Sequence, residues 1–383
     1  MHRPVTTAVS QASDPRQAVA ELAEGLGDGP FAAVVVFCGI SNDLQGLGQA
    51  LSERYGDTEV IGCTSAGEIT PLGYLDDSVT AFALPSDGFR VEVELINNLS
   101  QFRIGDVVST IDNLTQRLFG SLEPFSVAPE GTFGFIMFDG MAKREEAVLS
   151  AISGVLANVP LFGGSAGDGL TFDNTHVLYR GTFRADAAVL ALVRTVHPFR
   201  VFKSQHFVPT ERKMVVTEAD PARRIVHEIN AMPAAAEYAR VVGLDSQELS
   251  PMMFATHPVV VRMGGADYVR SIQKVNADGS LSFFCAIDKG VVLTVAEGRD
   301  LLARLKGLFT ELDGSVGAPQ LIIGCDCVLR RLEVERSQTK HVISELMRQN
   351  RVIGFNTFGE QYGAMHVNQT FTGVAIGRRS DSG

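Results

Sequence analysis

Three times along the chain, a short run of apolar residues ends in a turn and gives way to apolar positions spaced three and four apart. The runs are Val34-Val35-Val36-Phe37-Cys38-Gly39, Phe135-Ile136-Met137-Phe138-Asp139-Gly140 and Leu321-Ile322-Ile323-Gly324-Cys325. Continuous apolar character over so few residues predicts strands buried on both faces. The following patterns predict helices with one buried stripe. Their marker residues are Leu44, Leu47, Leu51 and Tyr55, then Val148, Ile152, Val155 and Leu156, then Ile343, Leu346 and Met347.

Each helix leads to a second short strand and a glycine-acid turn. The three versions are Val60-Ile61-Gly62-Cys63-Thr64-Ser65-Ala66-Gly67-Glu68, Leu161-Phe162-Gly163-Gly164-Ser165-Ala166-Gly167-Asp168 and Val352-Ile353-Gly354-Phe355-Asn356-Thr357-Phe358-Gly359-Glu360. A further apolar strand closes each unit, over residues 79–84, 187–193 and 371–376. The unit is strand–helix–strand–turn–strand, present three times.

Around the repeats, Asp14-Pro15 starts a helix that runs through Val19, Leu22 and Leu26 to Gly27. Asp220-Pro221 gives the same start signal ahead of Ile225, Val226 and Ile229, so a helix is expected there too. Residues 258–296 are strand-rich, with Asp278-Gly279 as a hairpin turn, and residues 298–312 read as an amphipathic helix. The pattern loosens over residues 196–220. The expected fold is α/β, with mixed sheets built from the three repeats and two domains. The divisions are an N-terminal helical segment over 1–30, a first domain over 31–205 and a second over 206–383.

Charge excludes some functions. Among 383 residues there are 44 Asp and Glu against 33 Lys and Arg, a net of −11, which argues against a nucleic-acid or anionic-membrane surface. The start of the chain has no apolar leader, and no apolar stretch approaches the roughly 20 residues of a membrane span. Five scattered cysteines make no disulfide framework. The cytoplasm is the expected compartment.

The glycine-acid motifs, Gly62 to Ile69, Phe162 to Asp168 and Gly354 to Gly363, resemble those of the FIST family of sensory proteins over nearly the whole chain. That resemblance implies small-ligand sensing through a partner protein, not catalysis. Within the family the chain is similar to stand-alone two-domain members of the NosP type. The parallels are Ser204-Gln205-His206-Phe207-Val208-Pro209, Thr217 to Arg224 and Gly359 to Thr370. This closer resemblance implies non-covalent haem b, nitric oxide as the diatomic ligand, and a sensor histidine kinase as partner. It leaves a homodimer open.

Haem ligation has no obligatory linear motif; it needs an imidazole or thiolate facing an apolar slot. His206, on a loop near the domain junction and beside Phe207 and Val208, is the first candidate for the iron. His257, in Met252-Met253-Phe254-Ala255-Thr256-His257-Pro258, is the second. His227 and His341 read as solvated helix positions. Arg262, Arg270 and Lys203 are the nearest basic partners in sequence for the propionates. Cys325-Asp326-Cys327 lacks the second ligand pair that a zinc site requires.

Two alternatives stand beside haem. Ser65, Glu68, Ser165, Asp168, Thr357 and Glu360 would converge on a polar metabolite such as an amino acid; the same residue types also cap turns. Gly163-Gly164-Ser165-Ala166-Gly167 matches the nucleophile-elbow pattern of a serine hydrolase, with Asp173 and His176 as partners. That motif needs a helix after the serine, whereas Leu170-Thr171-Phe172 reads as strand.

Overall fold

The computed structural model describes residues 2–120, 131–156, 158–245 and 248–379. The three repeats build three six-stranded sheets, each with the same middle. In the first, Phe31–Gly39 and Glu59–Ser65 run parallel, joined by the helix Leu44–Tyr55, and Val79–Pro85 lies antiparallel beside the former. Thr132–Phe138, Leu161–Ser165 and Ala187–Thr195 repeat this in the second sheet. Leu321–Cys327, Val352–Thr357 and Phe371–Ile376 repeat it in the third.

After each turn the chain does not fold back on its own sheet. A short hairpin is handed to a neighbour, in a closed cycle. The first repeat's hairpin, Glu68–Thr70 with Gly73–Leu75, pairs with Val352–Thr357 of the third. The second repeat's Val177–Tyr179 with Thr182–Arg184 pairs with Glu59–Ser65 of the first. The third repeat's Glu360–Tyr362 with Met365–Val367 pairs with Leu161–Ser165 of the second. Each exchange covers an edge that would otherwise expose unpaired backbone groups.

The inner faces of the sheets share one core, where Phe37 stacks on Phe355 at 4.5 Å and Phe135 on Phe162 at 4.7 Å between ring centroids. The outer faces are covered by helices. Leu22, Leu47 and Leu51 cover the first sheet, Ile111, Leu114 and Ile152 the second, and Leu305, Leu308 and Met347 the third. Each such side chain contributes about 1.5–3 kcal/mol by leaving water. Gly62, Gly163 and Gly354 occupy one equivalent site in the three repeats. A Cβ there would lie 1.7, 1.9 and 1.7 Å from the carbonyl oxygens of Val36, Ile136 and Gly324, so the strand crossing admits no side chain.

Between Ser204 and Leu301 the chain leaves this body to form an inserted β module, an eight-stranded sheet built on the long strand Phe207–Asp220. Its core holds Val226, Tyr238, Phe254 and Val295. The third repeat then returns to the body.

Several local expectations are corrected. No helix follows Asp220-Pro221. Residues 221–224 make a turn, with Arg224 N–H on the Pro221 carbonyl, and Ile225–Ile229 is a strand against Phe207–Asp220. The β-branched Ile225, Val226 and Ile229 suit that pairing, and His227 is therefore on a strand. Residues 196–220 contain two strands, Phe199–Ser204 and Phe207–Asp220. Charged residues on the open face of the second weaken its pattern. Leu170-Thr171-Phe172 is loop, not strand. Residues 1–30 are not a separate helical segment, since Thr6–Ser10 adds a strand to the first sheet beside the helix Pro15–Leu26. The Asp278-Gly279 turn, between Ile272–Val275 and Leu281–Phe283, is as expected. Among the described residues no helix is long and apolar enough to cross a membrane.

Candidate functional site

The repeat geometry carries all three glycine-acid turns to one end of the body, where their backbones interlock. Ala66 N–H donates to the Asn356 carbonyl at 2.9 Å, Asn356 N–H to Gly67 at 2.7 Å, Ser165 N–H to Gly359 at 2.8 Å and Gly167 N–H to Thr64 at 3.1 Å. The six polar positions picked out in the turns are thus brought together, but each is already hydrogen-bonded within the protein. Ser65 donates to one oxygen of Glu68, and the other accepts from the Ser78 N–H at 2.9 Å and hydroxyl at 2.7 Å. Thr357 and Glu360 repeat this arrangement with Thr370 at 3.0 and 2.8 Å. Asp168 instead caps the N–H groups of Phe172, Asp173 and Asn174.

Burial dominates both glutamates. It pushes Glu68 up to about 7 and Glu360 up to about 8, although the hydroxyl and amide donors pull the other way. In the second repeat Asp139 takes the corresponding place, accepting from the backbone of Asp186 at 2.5 Å and from the Thr175 hydroxyl. Sequence reasoning missed that role, although Asp139 ends the second apolar run.

Above the turns, the β module closes over the body through a buried ionic junction. Arg224 of the module donates to Glu145 at 2.5 Å, to Glu146 at 2.6 Å and to the Phe284 carbonyl at 2.6 Å. The Ala286 N–H returns to Glu146 at 2.9 Å. Burial of Glu146 is outweighed by the adjacent His366 and Arg224, so its carboxyl stays well below its ordinary value. Ser165 donates to Glu145 at 2.9 Å and accepts from Gln361 at 3.1 Å. Gln361 also donates to Nδ1 of His366, whose Nε2 donates to Phe284. Gln361 Oε1 and Asn368 Nδ2 are buried with no partner. The rings of Phe172, Phe358 and Phe284, two from the body and one from the module, cluster beside this network.

Ser165 does not have the setting of a nucleophile. It is buried, a loop follows it, and neither His176 nor Asp173 is among its hydrogen-bond partners.

His206 and His257 lie apart from the turns, in different settings. His206 is buried at the point where the chain enters the module. Its Nε2 donates to Glu333 at 2.9 Å and its Nδ1 accepts from Arg330 at 3.1 Å. Arg330, 2% exposed, holds Asp326 at 2.6 Å, and Asp326 accepts from the Tyr74 hydroxyl at 2.7 Å. Burial lowers the His206 pKa against the pull of Glu333, and both ring nitrogens are hydrogen-bonded within the protein.

His257 caps the helix Pro251–Thr256 and is half-buried. Its Nδ1 lies 3.2 Å from the Met253 carbonyl and 3.0 Å from the Thr256 hydroxyl. With the Nδ1 proton on that carbonyl, Nε2 keeps its lone pair, the tautomer a metal-ligating histidine needs. Arg336 donates to the Thr256 hydroxyl at 3.3 Å. The basic residues nearest in sequence are engaged elsewhere: Arg262 with Asp267, Arg270 with the His366 carbonyl and Lys203 over the Tyr268 ring.

All five cysteines are buried thiols, and burial raises each of them. Among the described residues no group of three or more His, Cys, Asp or Glu side chains is arranged to hold a metal ion.

The body is a closed ring of three exchanged repeats beneath a β module. The chain matches the FIST N domain over residues 32–232 and the FIST C domain over residues 234–363. It belongs to the FIST family, whose domains are signalling domains. It is also similar to a protein of Methanocaldococcus jannaschii named "Uncharacterized protein MJ1623", 20% identical over 353 residues that cover 82% of this chain and 67% of the relative.

Proposed function

We propose that this FIST protein is a haem-based nitric oxide sensor that reports to a sensor histidine kinase, with His257 as the iron's protein ligand. The observation that carries the reading is the imidazole of His257, whose Nδ1 lies 3.2 Å from the Met253 carbonyl while Nε2 makes no hydrogen bond with the described residues. When bound, haem supplies an iron centre that takes a diatomic gas. The chain's own residues orient the imidazole, and Arg336 is placed to meet a propionate. His257 belongs to the inserted module, so a displacement there is passed to the body through Arg224 and its two glutamates. A partner reads the resulting change in domain arrangement.

The test is an absorption spectrum of purified protein supplied with haem, then titrated with nitric oxide under reducing, anaerobic conditions. A one-to-one Soret band that shifts with nitric oxide is expected. It should be lost in His257→Ala and retained in His206→Ala. Protein that takes up no haem would overturn the reading. A second reading, a haem-free sensor of a polar metabolite such as an amino acid, rests on the partnerless Gln361 Oε1 and Asn368 Nδ2 beside the turns. Colourless protein whose thermal midpoint rises with one member of an amino-acid panel would establish it.

A further inference from the structure

The opposite end of the body, where the parallel strands begin, carries a different chemistry. Three arginines meet there from two places in the chain: Arg348 at the end of the helix Lys340–Gln349 with Arg351 in the turn after it, and Arg378 beyond the last strand. They line a cavity of about 400 Å³, within the range of small-ligand pockets. Its inner wall includes Val5, Leu321 and Ile353, which belong to the core shared by all three sheets. The cavity is therefore cationic at its rim and apolar toward the core, and no Asp or Glu among the described residues lines it.

The arginines keep donors in reserve. Arg348 uses Nε and Nη2 on Glu345, at 2.8 and 2.7 Å. Arg351 uses Nη1 on the Pro319 carbonyl at 3.1 Å. The Arg378 guanidinium makes no hydrogen bond or ion pair with the described residues. On a chain of net charge −11, three guanidinium groups around a cavity that no described Asp or Glu lines favour an anion, and guanidinium forks match a planar carboxylate.

We propose that this cavity is a second ligand site, for a small amphipathic carboxylate whose head is held by Arg348, Arg351 and Arg378 and whose apolar part lies against Val5, Leu321 and Ile353. The site is separate from His257 and does not depend on haem.

Isothermal titration of the full chain with octanoate tests it, with inorganic phosphate as the comparison anion. The expected result is saturation at one octanoate per chain, weakened tenfold or more in Arg351→Ala/Arg378→Ala and unchanged in His257→Ala. Both arginines are exposed, so the double variant should keep its fold, which its circular dichroism and thermal midpoint check. Absence of saturable octanoate binding, or equal affinity in the folded double variant, would overturn the site. Phosphate binding as tightly as octanoate would overturn the apolar half of the assignment.

Discussion

Glu68 and Glu360 act through burial more than through contact. Both are carboxyls enclosed by hydroxyl and amide donors, and burial carries them to about 7 and about 8 from an ordinary value of 4.5. The folded state then binds protons that the unfolded chain has already released. A group of this kind gives its full stabilisation below the unfolded pKa and loses it as pH rises through the folded value. The window is from about 4.5 to about 8, and each residue is worth on the order of 3–5 kcal/mol across it. Urea midpoints for the wild type should fall between pH 5 and pH 8. Glu360→Gln, which cannot ionise, should gain on the wild type throughout that range. A wild-type-minus-variant difference that is flat with pH would refute the ionisation account.

Among the elements, the exchanged hairpins and the polar chain behind His206 do the binding together. Tyr74 belongs to the first repeat's hairpin, Asp326 to a strand of the third, and Arg330 and Glu333 to the helix Val328–Arg336. One line of hydrogen bonds thus ties a donated hairpin, its recipient sheet and the entry to the module. Removing the central cation leaves Asp326 charged and unpaired in the interior, at about 3–5 kcal/mol. Arg330→Ala should lose that much in chemical denaturation. His206→Ala, which deletes a neutral ring at the end of the line, should lose clearly less. Gly354→Ala tests the strand crossing: a Cβ 1.7 Å from the Gly324 carbonyl oxygen forces the backbones apart, and folding should be severely impaired.

For the whole molecule, the question is how the module and body communicate. Arg224 of the module pairs with two body carboxylates in the buried junction described above. Arg224→Ala should loosen the module while leaving the three-sheet body folded. Hydrogen exchange should then quicken in the strands of residues 207–298 and stay slow in the strands of the shared core. Uniform quickening over both parts would mean that they unfold as one unit.

Local sequence was enough for the repeats. The apolar runs, the three- and four-residue spacings and the turn glycines specify strand, helix and turn from near neighbours alone, and the threefold recurrence fixed the α/β class. It also marked the turn residues and His257 as worth attention. Tertiary structure decided the rest, because partners far apart in the chain set it. Nothing near Glu360 says that its hairpin completes the second repeat's sheet. Nothing near His206 says that Glu333 and Arg330, more than 120 residues away, occupy both ring nitrogens. The strand after Asp220-Pro221 is the same lesson in miniature: a helix start signal with a local basis yields to a strand partner that only the folded chain supplies. Hydrogen-bond saturation and burial are properties of neighbours in space, and they gave His206 and His257 different settings.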